Sequence, residues 1–177
     1  MESDPVAPLG VYGRSKLAGE DAVRAGCSQY LIFRTSWVFS VHGHNFVKTM
    51  LRLGSERESL GVVADQFGKP TSAAELARVS LTILSRHDWV WGVYHLAQPD
   101  ATSWHGFAES IFAEGRKQGM PLKLVSLNAI TTVDYPTPAC RPANSELNCS
   151  QLEQTFKLKI RPWRESLAEV IEELKHG

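Results

Sequence analysis

The sequence predicts an α/β fold with mostly parallel strands. Short apolar runs of strand length alternate with segments of helical periodicity along the chain. Glycine, proline and cap-type residues punctuate the boundaries between them. The composition, 43% hydrophobic and 21% charged over 177 residues, is that of an ordinary globular domain with one substantial core.

The elements follow in order. Ser15 to Ala25 favours helix, with Gly26 as the expected C-cap. Tyr30 to Phe33 is long enough for one buried strand. Asn45 to Leu53 reads as a helix, with Phe46, Met50 and Leu53 at helical spacing and Gly54 as its stop. Leu60 to Val63 is a second strand. Pro70-Thr71-Ser72 opens a helix whose Ala73, Leu76, Ala77, Ser80, Ile83 and Leu84 share one face. Val90 to Ala97 is a third strand, and Ser103 is placed to cap a helix containing Phe107, Ile111 and Phe112. Leu122 to Leu127 is a weak strand, and Thr131 to Ser145 is an extended loop rich in Thr, Pro and Asn. Gln151 to Phe156 and Arg164 to Leu174 close the chain as helices.

Charge excludes some functions. With 19 basic and 19 acidic residues the net charge is zero, so broad electrostatic grip on nucleic acid or an anionic membrane is not expected. Three cysteines at irregular spacing form no metal knuckle or disulfide framework, which points to a reducing compartment. The acidic start Met1-Glu2-Ser3-Asp4-Pro5 has no apolar signal region, and no run approaches a membrane span. The expected location is the cytoplasm. His42-x-His44 has no companion ligand at metal spacing, so no metal site is expected.

The chemistry concentrates in Tyr12-Gly13-Arg14-Ser15-Lys16. Spacing of four puts Tyr12 and Lys16 on one face of a helix. A phenol alone is too weak an acid to pass protons readily near neutrality. An ammonium about 4 Å away favours its ionised form by on the order of 4 kcal/mol at an effective dielectric of ~20. Such a pair suits proton transfer to a carbonyl or alcohol oxygen. Thr35, Ser36 and Trp37 follow the strand at 30–33, and α/β sheets bind ligands at the C-terminal ends of their strands. An indole there offers a sugar a broad apolar face, although a core Trp under a loop is an equal reading from the residues alone. Asp65-Gln66-x-Gly68-x-Pro70-Thr71 reads as a shaped loop leading to a helix cap. Arg141 lies among Pro136, Pro138 and Pro142, a stiff setting for capturing a diphosphate or base carbonyl.

Taken together in this order, Pro8 to Glu20, Arg34-Thr35-Ser36-Trp37-Val38-Phe39, Asn45-Phe46, Asp65 to Thr71 and Tyr135 to Pro142 resemble the extended short-chain dehydrogenases/reductases, and within them the dTDP-4-dehydrorhamnose reductase family. The resemblance runs from about Glu2 to Leu174. It implies a partial Rossmann-type sheet with helices plus a C-terminal substrate-binding lobe, the whole of 1–177 forming one substrate-binding region. It also implies reduction of the C4 ketone of dTDP-4-dehydro-L-rhamnose. Tyr12 would be the proton donor, and Lys16 would support it and hold the nicotinamide ribose. Thr35 and Ser36 would lie by the cofactor, and Trp37, Asn45, Asp65, Gln66, Thr71 and Arg141 by the nucleotide-sugar.

The sequence departs from the family in one large respect. No glycine-rich G-x-x-G-x-x-G turn occurs in the 177 residues, and such a turn lets backbone and helix N-terminus approach a pyrophosphate. The expectation is therefore a C-terminal portion without the N-terminal nucleotide-binding units. NADPH or NADH would serve the full-length parent but would not bind this chain tightly. A homo-oligomer or a complementing N-terminal half is the expected protein partner. A non-catalytic nucleotide-sugar-binding fragment or a regulatory subunit of the same superfamily is the alternative.

Overall fold

A computed structural model describes residues 1–137 and 142–176. The elements are α1 (Val11–Gly26), β1 (Leu31–Arg34), β2 (Val38–Phe39), α2 (Phe46–Glu56), β3 (Ser59–Val63), β4 (Phe67–Gly68), β5 (Thr71–Ser72), α3 (Ala73–Leu84), β6 (Gly92–His95), β7 (Thr102–Ser103), α4 (Trp104–Lys117), β8 (Ser126–Ile130), a 3₁₀ turn (Thr132–Asp134), α5 (Ser150–Phe156) and α6 (Trp163–His176). Three ladders are parallel: β1 with β6 from Leu31↔Gly92 to Arg34↔His95, β3 with β8, and β2 with β5. The short β4–β7 ladder is antiparallel. The α/β class with mostly parallel strands is thus the fold observed.

Two apolar clusters hold it together. The larger joins α2, α4 and α6 to β3 through Val47, Met50, Phe107, Ile111, Trp163 and Leu167. The second packs Val79 and Ile83 of α3 against Tyr94 and Leu96 and against Leu152 and Phe156 of α5. No described helix is long and apolar enough to cross a membrane.

Several boundaries differ from the sequence reading, each for a physical reason. Helix α2 runs through Gly54 to Glu56. Gly54 is a packing residue: a Cβ there would lie 2.5 Å from Phe112 Cε1, so its bareness lets α4 approach α2. Gly26 is likewise inside α1, and the cap falls on Cys27. The buried face of α3 is Glu75, Val79 and Ile83, while Ala77 and Leu84 point outward. Glu75 turns that face inward. It accepts hydrogen bonds from Arg78 Nε (2.8 Å) and NH2 (2.6 Å), from Arg161 Nε (3.0 Å) and from the Arg161 backbone N–H (3.0 Å). Burial alone would raise the Glu75 pKa, but these donors outweigh it and hold it at about 2. Strand β8 begins at Ser126 rather than at Leu122, because the backbone N–H groups of Lys123 and Leu124 are spent on the Gly54 carbonyl.

Candidate active site

Helix α1 starts after Gly10, so Tyr12 and Lys16 lie in its first turns. Their spacing does put them on one face: Lys16 Nζ stands 5.4 Å from the centre of the Tyr12 ring, within cation–π range. Tyr12 is 76% exposed, and α1 buries none of its residues. What ties α1 to the sheet is charge. Glu20 accepts from Arg34 Nε (2.8 Å) and NH2 (2.6 Å), a bidentate pair reaching from α1 to the end of β1. The Arg34 hydrogen bond holds the Glu20 carboxyl below its ordinary range against the opposing effect of burial.

At the C-terminal end of β1 the chain turns through Thr35, Ser36 and Trp37. Thr35 is exposed. Ser36 Oγ donates to the Lys69 carbonyl (2.9 Å), and the Thr71 N–H donates to the Trp37 carbonyl (3.2 Å). The 36–37 and 68–71 segments are therefore brought together. Thr71 is fully buried. Its Oγ1 donates to the Lys69 carbonyl (3.2 Å) and accepts from the Gln98 N–H (3.3 Å), so the hydroxyl is spent on the fold. The indole of Trp37 stacks on Trp104, ring centres 3.6 Å apart and planes 9° from parallel. One face of the Trp37 indole is thus taken by a second indole.

Asp65 and Gln66 reach the same neighbour. The Thr132 N–H donates to both Asp65 carboxylate oxygens (3.0 Å each), its hydroxyl donates to Oδ1 (2.7 Å), and Gln66 Nε2 donates to the Thr132 hydroxyl (3.0 Å). The Thr132 backbone donor lowers the Asp65 pKa first among the causes. Asp65 thereby fastens the 3₁₀ turn over β3. Asn45 caps α2, its Oδ1 accepting from the Lys48 N–H (3.3 Å) and its Nδ2 donating to the Ser40 carbonyl (2.6 Å). Arg141 lies outside the described residues.

A cleft of about 380 Å³ opens between α2, β3 and the segment after the 3₁₀ turn. Phe46, Trp104 and Tyr135 supply aromatic walls, and Arg57, Gln66 and Thr49 supply polar groups. Among the described residues expected at a ligand, only Gln66 lines it; Tyr12 and Lys16 do not. Phe46, Arg57, Trp104 and Tyr135 escaped the sequence reading as ligand candidates. They come from a helix start, a helix end, a second helix start and a loop, and no single period or spacing joins them. The cleft is built to hold a planar ring against aromatic walls with a cation at its rim.

The RmlD substrate binding domain family matches residues 1–176. The dTDP-4-dehydrorhamnose reductase of Escherichia coli K12 is 48% identical over 178 residues, which cover 98% of this chain and 59% of that protein. A solved dTDP-4-dehydrorhamnose reductase from Clostridium acetobutylicum superposes with a TM-score of 0.88 at 40% identity, over 98% of this chain and 59% of that one. Another from Bacillus anthracis, solved in complex with NADP, gives 0.86 at 36% identity over 97% and 58%. The chain thus spans rather less than two thirds of the length of these relatives.

Proposed function

The chain belongs to the RmlD substrate-binding domain family, and on that premise we propose that it carries the sugar-nucleotide side of a reductase acting on the C4 ketone of dTDP-4-dehydro-L-rhamnose. The observation that carries this reading is the Tyr12–Lys16 pair, held on one helical face with the ammonium 5.4 Å from the ring. Tyr12 donates its phenolic proton to the C4 oxygen as the ketone becomes an alcohol. Lys16 stabilises the phenolate left behind, which an adjacent cation favours. The aromatic cleft takes the thymine, Arg57 and Arg141 meet the diphosphate, and Trp37 and the 65–71 loop lie by the deoxysugar.

A bound NADPH or NADH supplies the hydride. The residues present fit the ribose next to the nicotinamide rather than a whole dinucleotide. Lys16 on α1 and Thr35 just after β1 are exposed donors, but the 177 residues contain no glycine-rich turn for the pyrophosphate. A complementing glycine-rich half, in the same or another polypeptide, would complete that side.

A second reading, a nucleotide-sugar-binding module that turns nothing over alone, is favoured by the 76% exposure of Tyr12 and its place outside the cleft. One experiment separates the two. The chain is assayed with dTDP-4-dehydro-L-rhamnose and NADPH, with and without a glycine-rich N-terminal half added in trans. Turnover that appears only with the added half, and falls at least 100-fold in Tyr12→Phe, supports the reductase. Turnover unchanged in Tyr12→Phe removes Tyr12 as the proton donor. No turnover under either condition, with dTDP-sugar still bound, leaves the binding module.

A further inference from the structure

Trp37 has a backbone φ of +47°, the left-handed region that is strained for a side-chain-bearing residue. Among the described residues two other non-glycines share that region: Lys157 is the C-cap of α5, and Asp100 is a residue type that tolerates it. Trp37 has neither excuse. Such strain persists only where the surroundings over-determine the position.

Those surroundings form a two-sided clamp. On one face lies Trp104, parallel at 3.6 Å. Trp104 is itself braced by Phe46, whose ring centre is 4.7 Å away, and Phe46 packs on the buried Phe107. On the other face lies Gly68. A Cβ at Gly68 would stand 2.5, 2.7 and 2.8 Å from Cε2, Nε1 and Cζ2 of Trp37. Near-equal distances to three bonded ring atoms, with the junction atom nearest, put that point over the ring and not at its edge. A ring stacked 3.6 Å from the indole and nearly parallel to it leaves no room on its own side for a Cβ 2.5 Å above Cε2, so Trp104 and Gly68 take opposite faces. Gly68 has no positive φ, so its lack of a side chain answers to this ring and not to its backbone.

We infer that Trp104 and Gly68 are positioning residues for the reaction proposed above: they fix the plane of the Trp37 indole, and the deoxysugar is aligned against the part of the ring they leave uncovered. The inference rests on the nucleotide-sugar reading. It goes beyond it in naming two residues that act on the sugar through Trp37.

The test uses the whole chain and two probes, dTDP and dTDP-L-rhamnose, titrated by calorimetry. The ratio of their dissociation constants isolates what the sugar contributes. In parallel, circular dichroism reads the exciton couplet of two indoles stacked at this distance. Gly68→Ala, whose backbone accepts the methyl, should weaken the couplet and reduce the sugar's contribution about fivefold to tenfold, leaving dTDP affinity nearly unchanged. In a Trp37→Phe background, where the ring is smaller, Gly68→Ala should have no further effect on that ratio. Should Gly68→Ala not fold, Trp104→Leu should lower the ratio and Trp104→Phe should retain it. The inference is overturned if the wild-type chain shows a sugar contribution that Gly68→Ala and Trp104→Leu leave intact, or if Gly68→Ala lowers it equally without the Trp37 indole. A wild-type chain that binds neither probe, or both alike, overturns the nucleotide-sugar reading itself, and the clamp's role with it.

Discussion

Two helices, α4 beside the aromatic cleft and α1 with its Tyr12–Lys16 pair, differ in how they are held. Helix α4 carries Trp104 at its first position and buries Phe107, Ala108, Ile111, Phe112 and Gly115. Its Ser103 cap accepts from the Gly106 N–H (3.0 Å). Helix α1 carries Tyr12 and Lys16, buries nothing, has no side-chain cap, and is fastened to β1 by the Glu20–Arg34 pair. The difference teaches that the cleft wall is a product of this chain's own core, whereas Tyr12 and Lys16 stand on a helix that leaves Val11 and Val23 exposed. Burial fixes the first, and the Glu20–Arg34 pair fastens the second.

Mutations should reproduce that contrast. Phe107→Ala should cost about 3–5 kcal/mol in urea unfolding, because the ring is fully buried against Phe39, Phe46 and Trp163. Val11→Ala on α1 should stay within about 0.5 kcal/mol, and equal costs at the two sites would erase the contrast. Acid should strike the packed side next. The folded pKa of Glu75 is depressed to about 2 from an ordinary 4.5, so its stabilisation is present above about pH 4.5 and is lost as pH falls toward 2. The loss should reach about 3 kcal/mol, measured as a falling urea midpoint, and Glu75→Gln should remove that part of the fall and leave the part due to Glu20 and Asp65. A pH-independent midpoint in the wild-type chain over that window would remove Glu75 as a stabilising ion. A smaller global effect than at Phe107 or Glu75 belongs to Glu20→Gln, about 1 kcal/mol for a partly exposed pair. Its local effect should be specific, with amide exchange in α1 accelerating while α4 is unchanged. Uniform acceleration of both would show that α1 is held by more than charge.

How much of this was legible beforehand follows the same division. The alternating periodicities gave the order of strands and helices, and Ser103 and the Phe107, Ile111, Phe112 stripe announced α4, because cap and periodicity are local signals. Tyr12 and Lys16 were legible for the same reason: spacing of four is a property of one helix. The two-residue strands β2, β4, β5 and β7 were not, since so few residues carry no period. The inward turn of Glu75 depends on Arg161, far along the chain, and the Trp37–Trp104 stack on the loop after β1 meeting the start of α4. Gly54 and Gly68 were readable as breakers, yet they serve as contact points, which only the packed partner reveals.

The packed side of this chain should hold a nucleotide-sugar without help, and calorimetry on the 177-residue chain tests that most directly. Titration with dTDP-L-rhamnose should give saturable one-to-one binding that dTDP competes away, while NADPH at the same concentrations gives almost no heat. No heat from dTDP-L-rhamnose, or tighter binding of NADPH than of the sugar nucleotide, would contradict it.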